Sequence, residues 1–222
     1  MDFMRSGLFM PLLRSCVRKP APVRIYPVKL LYNICMRPSE IQEIAETVKA
    51  SAPCRMLVFG LGNDSSFWNM LNRGGDTLFL EDSAIWRDRI TSIDPGLEVC
   101  LVKYGTYLGQ WRDLLDRPRD LEMDLPSKVT ENRWDIILVD APQGYRAQNP
   151  GRMKSIFAAS LLRRSDSSVF IHDCNRTVET VYSDSFLGEE FTLVGRLRHY
   201  RSNSHIDAGM RNDPFAAPED GA

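Results

Sequence analysis

The chain has 222 residues, a length that suits one domain with a sizeable core and short tails. Its 28 Lys and Arg residues balance 29 Asp and Glu residues, so bulk charge does not favour a nucleic-acid partner. The five cysteines are scattered and never form a C-x-x-C pair. This pattern argues against a disulfide framework and a zinc site, and it favours a reducing compartment.

The two ends of the chain differ from its middle. Residues 1–37 are basic, contain four prolines and carry one acid, so we expect an N-terminal arm. Residues 202–222 are polar and predict a flexible C-terminal tail, which leaves one domain at 38–201. No apolar run reaches the ~18 residues that span a bilayer. The patch between Arg5 and Arg14 is at the lower limit for a signal peptide. We therefore expect no integral membrane segment and a protein that is cytoplasmic or otherwise soluble.

Helical and strand patterns alternate along the domain. The segment Ser39-Glu-Ile-Gln42 is typical of a capping box, and the apolar stripe after it predicts a helix before the first strand. Strands are predicted near 55–60, 76–81, 97–102, 134–140 and 167–172. Amphipathic helices are predicted near 65–73, 83–93, 108–117, 152–164 and 176–185.

This alternation indicates an α/β fold with a parallel sheet that is covered on both faces. Residues 191–200 predict two short strands turning at Gly195, which would finish the sheet antiparallel. The fold class is therefore a Rossmann-like class I methyltransferase fold, with a seven-stranded, mostly parallel sheet. In such sheets the ligand lies outside the carboxyl ends of the strands.

The first strand opens into a Gly60-Leu-Gly62 turn followed directly by a helix, a geometry that brings backbone N–H groups against a nucleotide-like ligand. Glu81 ends the next strand about twenty residues later, where a carboxylate can accept hydrogen bonds from ribose hydroxyls. Ser65 stands where a dinucleotide site has its third glycine, which favours S-adenosylmethionine over NAD. We expect Gly60, Gly62, Asn63, Ser65, Glu81 and Asp140 to bind this cofactor. The alternatives are a plain tight turn and an acid that caps the next helix.

Two further strands end in acids. Asp140 follows Ile136-Ile-Leu-Val139, where a buried carboxylate is costly without partners, so it could bind a divalent cation or orient the cofactor's ammonium group. Asp173 ends a neighbouring strand, and the two carboxylates could converge on Mg²⁺ or Mn²⁺, with Asn175 completing the set. The alternative for Asp140 is a loop-capping role. His172 and Asp173 should point to opposite sides of their strand.

His172 is predicted to be the general base that removes a hydroxyl proton, since its pKa range suits that task. The alternative is a hydrogen-bonded core histidine. Asp140, His172 and Asp173 together form the predicted catalytic set.

Cationic and aromatic side chains could bind the acceptor. Arginine is the usual bidentate partner of a carboxylate, including that of a uronic acid. Arg152 and Arg198 are therefore candidates for the acceptor's carboxylate, with Tyr145 and His199 beside them. The alternative for each arginine is a solvated surface charge.

Read in order, these motifs resemble the plant glucuronoxylan 4-O-methyltransferase family over about residues 38–200. The matching segments are 51–65, 71–81, 134–145, 150–153, 169–173 and 195–199. The resemblance implies transfer of a methyl group from S-adenosylmethionine to the 4-hydroxyl of glucuronic acid on xylan, assisted by a divalent metal. By position it carries over the glycine turn, Glu81, Asp140 and the His172-Asp173 pair.

Three departures from the family pattern limit what can be carried over. No Golgi anchor is evident, and Asn175 stands where the family tends to have an acid. The charged segment at residues 113–133 is shorter than the corresponding segment of the family. We expect the methyl acceptor to be a sugar hydroxyl. We interpret this sugar as a uronic acid within a xylan-like or other glycan. Alternatives are a non-catalytic accessory protein of polysaccharide biosynthesis and an NAD-dependent oxidoreductase.

Overall fold

The computed structural model of the protein describes residues 35–201. All of the predicted tail and all but the last three residues of the predicted arm lie outside the described residues. The strands are β1 (Arg55–Phe59), β2 (Asp76–Glu81), β3 (Glu98–Leu101), β4 (Ile136–Val139), β5 (Ser168–Ile171), β6 (Thr192–Val194) and β7 (Leu197–Tyr200). The α-helices are α1 (Pro38–Ser51), α2 (Ser65–Leu71), α3 (Ala84–Ile93), α4 (Trp111–Leu115), α5 (Ser127–Thr130), α6 (Met153–Leu162) and α7 (Thr177–Leu187).

The strands form one seven-stranded sheet in the order β3-β2-β1-β4-β5-β7-β6. The first five strands of the chain run parallel, whereas β7 is antiparallel to both β5 and β6. This arrangement confirms the predicted fold class, including the antiparallel finish. Each predicted strand and helix is present to within a few residues. The predicted helix at 108–117 divides into a 3₁₀ turn (Leu108–Gln110) followed by α4.

The core lies in two layers because the strand side chains alternate between the faces of the sheet. Leu57 and Phe59 of β1 point to the face that α4–α7 cover, and Met56 and Val58 point to the face that α1–α3 cover. All four side chains are buried. Burial of each side chain of this kind stabilises the fold by about 1.5–3 kcal/mol.

The start of α1 differs from the prediction. The helix begins at Pro38, with Arg37 as its N-cap, so Ser39 lies inside the first turn and does not cap it. Proline is favoured at the first helical position because its missing N–H is unpaired there anyway. The Glu40 carboxylate accepts the Arg37 backbone N–H at 2.6 Å, which keeps half of a capping box two residues earlier in the chain.

The topology places the site. Because β1, β2, β4 and β5 are parallel, their carboxyl ends share one edge of the sheet, referred to below as the carboxyl edge. Val139 of β4 pairs with Ile171 of β5, so Asp140 and His172 follow side by side. Within residues 35–201, no helix is both long enough and apolar enough to cross a membrane.

Candidate active site

The glycine turn after β1 is tightly packed and is held by a hydrogen bond. Gly60 has a φ of +124°, a conformation that favours glycine, and an added Cβ would lie 3.0 Å from the Ala141 Cβ. The Gly62 N–H donates to the Ser65 hydroxyl at 2.9 Å. Ser65 is buried, so its hydroxyl stabilises the turn from the interior of the protein. Asn63 stands partly exposed in the turn.

Glu81 lies at the end of β2, beside this turn. Its carboxylate accepts the Ser83 N–H at 2.9 Å, and the Trp86 indole N–H donates to the Leu61 carbonyl at 2.6 Å. The loops after β1 and β2 are therefore tied together. Burial raises the pKa of Glu81 to about 7. The structure thus brings the two predicted halves of a cofactor site next to each other.

Asp64 is part of the same turn and was missed in the sequence. A Cβ on Gly62 would lie 2.7 Å from the Asp64 Oδ1, so this glycine makes room for the carboxylate. The Trp68 indole N–H donates to the Asp64 Oδ2 at 2.9 Å. Its place directly after the glycine turn was the available signal.

Asp140, His172 and Glu40 form a chain of charges under the carboxyl edge. His172 Nδ1 lies 2.8 Å from Asp140 Oδ1, and His172 Nε2 lies 3.2 Å from Glu40 Oε2. His172 and Glu40 are fully buried, whereas the Asp140 side chain is partly exposed. Glu40 also accepts the Arg196 backbone N–H at 2.7 Å. Its position on an amphipathic helix gave no sequence signal for burial.

These contacts argue against His172 as the general base. Both ring nitrogens face carboxylate oxygens, so both must donate, which requires the protonated imidazolium. Burial alone would lower the pKa of His172, but the hydrogen bond and charge of Asp140 outweigh it and raise the pKa. Burial likewise favours neutral Asp140, yet Arg152 and His172 hold its pKa below the ordinary value. We therefore assign His172 a positioning role.

Asp173 departs from the prediction that it and His172 point to opposite sides. β5 ends at Ile171, and Asp173 adopts a φ of +61°, which turns its side chain back beneath the edge. Both residues are buried, and His172 Nδ1 lies 3.7 Å from Asp173 Oδ1. The predicted convergence of Asp140 and Asp173 is present, because Arg152 bridges them at 3.1 and 2.9 Å.

The predicted divalent metal does not fit these residues. One ligand atom each from Asp140, His172 and Asp173 lie within 4.8 Å of one another. However, Asp173 Oδ2 contacts Arg152 at 2.9 Å and Arg176 at 3.0 Å, while Asp173 Oδ1 contacts Arg196 at 3.1 Å. The guanidinium groups take the oxygens a metal needs and would repel a cation. Asn175, the suggested third ligand, is exposed.

The structure also corrects three of the predicted acceptor ligands. Arg152 is only 5% exposed and donates to the carbonyls of His172 and Asp140 at 2.8 and 2.6 Å, so its donors are used inside the fold. Arg198 is buried, pairs with Asp184 and lies over the face of the Phe191 ring.

His199 is also buried, stacks on Phe170 at 4.0 Å between ring centroids and pairs with Glu43 at 2.7 Å. These three side chains stabilise the fold and do not face an acceptor. Tyr145, in contrast, is 61% exposed on the loop after β4 and stays a predicted acceptor contact.

Strand order, the antiparallel β7 and the glycine turn at the carboxyl edge together define the Rossmann-like fold of class I methyltransferases. The chain belongs to the IRX15/IRX15L/GXM family, whose family model matches residues 39–123 and 120–200. This match confirms the family resemblance that the motifs indicate.

Curated relatives come from Arabidopsis thaliana. The chain is 39% identical over 189 residues to glucuronoxylan 4-O-methyltransferase 2, covering 75% of this chain and 65% of the relative. It is 36% identical to arabinogalactan O-methyltransferase 2, covering 72% of this chain and 65% of that relative. It is 32% identical to Protein IRREGULAR XYLEM 15, covering 72% and 59%. The chain thus spans less than two thirds of the length of these three relatives.

Proposed function

We propose that this protein transfers the methyl group of S-adenosylmethionine to a sugar hydroxyl of a glycan. The observation that carries the proposal is the pairing of the glycine turn with buried Glu81 at the carboxyl edge of a methyltransferase sheet. Two relatives that are named O-methyltransferases on polysaccharides support the acceptor class. The 4-hydroxyl of glucuronic acid in a xylan-like glycan is the specific acceptor that we propose.

The cofactor would lie across the ends of β1 and β2. An ionised Glu81 can accept hydrogen bonds from both ribose hydroxyls. Gly60 and Gly62 leave room for Ala141 and Asp64, which shapes the turn beside Glu81. S-adenosylmethionine has a ribose and no phosphate, which agrees with Ser65 sitting beneath the turn in place of a third glycine.

Asp140 is the residue that we assign to the acceptor hydroxyl. Its contacts to Arg152 and His172 both use Oδ1, and no described residue contacts Oδ2 within hydrogen-bond distance. In the reaction the acceptor oxygen bonds to the methyl carbon while the carbon–sulfur bond breaks. The sulfonium becomes a neutral thioether, and the hydroxyl proton passes to Asp140 or to water. Catalysis then consists mainly of alignment of the two reactants.

Buried neighbours fix Asp140 for this task. Arg152 and His172 hold one of its oxygens, and Glu40 holds the far side of the imidazole. Such preorganised charges add to catalysis because they need not reorganise during the reaction. Tyr145, exposed further along the same loop, is the proposed contact to the sugar ring.

The test is methyl transfer from labelled S-adenosylmethionine to glucuronoxylan, run beside the same polymer with its uronic carboxyls reduced. We expect label in the 4-O-methyl group of glucuronic acid, and no label with the Asp140→Ala variant. Equal labelling of both polymers would remove the uronate from the proposal. Binding of S-adenosylhomocysteine without transfer to any glycan would favour an accessory protein of polysaccharide synthesis.

A further inference from the structure

We propose that the Asp64 carboxylate binds the α-ammonium group of the cofactor's methionine part. This inference rests on the proposed use of S-adenosylmethionine. In this role, Asp64 would make the site prefer a nucleoside that carries an amino-acid group over a nucleoside that lacks one.

The geometry places Asp64 at the cofactor. Its carboxylate lies against Gly62, where it fills the space that a side chain on that residue would need. Trp68, which is buried in the core, holds Oδ2 at 2.9 Å from its indole nitrogen. The carboxylate is therefore fixed over the turn by a partner that carries no charge.

The distribution of charges distinguishes Asp64 from most acids at the carboxyl edge. In the part of the chain that the structure describes, Glu81 also has no cation beside it and is proposed to bind the ribose, whereas three acids beneath the edge each have a cation inside the fold. Glu40 and Asp140 contact His172 at 3.2 and 2.8 Å, and Asp173 contacts Arg152 at 2.9 Å. Among residues 35–201, no Lys, Arg or His nitrogen lies within 4.0 Å of the Asp64 carboxylate.

A carboxylate in such a place needs a cation from elsewhere. Burial raises the pKa of Asp64 to about 6, and the negative charge of Asp140 acts in the same direction. Free protein therefore holds Asp64 in an unfavourable environment, which a bound ammonium group would relieve. S-adenosylmethionine and S-adenosylhomocysteine both carry that ammonium group, so the interaction persists in the product.

The test compares two nucleosides on two proteins. S-adenosylhomocysteine has the ammonium group, whereas 5′-methylthioadenosine keeps adenosine and the thioether but lacks the amino acid. By calorimetry at pH 8, we expect Asp64→Asn to weaken the binding of S-adenosylhomocysteine by about 10- to 100-fold. This is the range for a hydrogen bond to a charged group. Binding of 5′-methylthioadenosine should stay unchanged.

Asp76→Asn is the matched control, since it removes one charge from an exposed position and should leave both affinities unchanged. Thermal unfolding keeps the test interpretable: the free Asp64→Asn protein should melt no lower than wild type, because it loses a charge without an ionic partner.

Three outcomes would overturn the proposal. Unchanged S-adenosylhomocysteine affinity in Asp64→Asn would defeat the ammonium assignment and leave the cofactor proposal standing. An equal loss for both nucleosides would mean that Asp64 only shapes the turn. Wild-type protein that is folded but binds neither nucleoside would remove the cofactor proposal and this one together.

Discussion

The two edges of the central sheet both carry arginine–aspartate ion pairs, which are buried at one edge and exposed at the other. At the carboxyl edge, Arg152 is buried between Asp140 and Asp173. At the opposite edge, where the parallel strands begin and which we call the amino edge, Arg55 pairs with Asp76 at 3.7 Å, with side chains 49% and 74% exposed. The amino edge also has a cleft of about 390 Å³, which Arg55 and Asp76 help to line.

The comparison shows that the two edges differ in what it costs to hold their charges. Exposed ion pairs cost little and contribute little, so their presence needs no function to explain it. Buried charges lose their hydration, and such a cluster persists only where each charge is held by others. The costly burial of charge at the carboxyl edge therefore favours that edge as the place of the reaction.

The largest expected effect is on stability, and it tests the contrast directly. Arg152→Met leaves two carboxylates without their shared cation and should lower the free energy of unfolding by about 3–5 kcal/mol. Arg55→Met, the matched change at the amino edge, should cost about 0–1 kcal/mol. Urea denaturation of both variants measures the difference. Equal losses would break the comparison.

The second prediction uses the two acids that flank β4. Asp140→Asn should lower kcat about 10²- to 10⁴-fold, the usual contribution of a positioned proton acceptor. Asp135→Asn, at the start of the same strand, should leave kcat unchanged, since its main contact is the Arg55 backbone N–H at 2.7 Å. The readout is methyl transfer at saturating cofactor. A similar kcat for the two variants would remove Asp140 from the mechanism.

A smaller effect concerns pH and Glu81. Burial lifts the pKa of this carboxyl from 4.5 to about 7, so the free folded state loses stability as pH rises between those values. Ribose hydroxyls donate best to the ionised form, so S-adenosylhomocysteine should bind up to about 10-fold tighter at pH 8 than at pH 6. Glu81→Gln should remove most of this pH dependence and leave the smaller part that ionisation of Asp64 contributes. An undiminished slope in the variant would assign the pH dependence to another group.

The sequence was sufficient for the features that follow from periodicity and strand ends. Apolar runs located the strands, and the rule that ligands lie at the carboxyl ends selected Gly60, Glu81 and Asp140. Long-range pairing was beyond it. Whether Arg152 meets solvent or two carboxylates depends on how β4 and β5 are aligned, and a charged residue in a helical stripe, such as Glu40, has no local signature of burial.

Amide hydrogen exchange with and without S-adenosylhomocysteine tests the central claim, that the cofactor binds at the carboxyl edge. We predict slower exchange at residues 60–65 and 81–86, and no change at 73–76 beside the amino-edge cleft. Protection confined to the amino edge, or none at saturating ligand, would contradict the account.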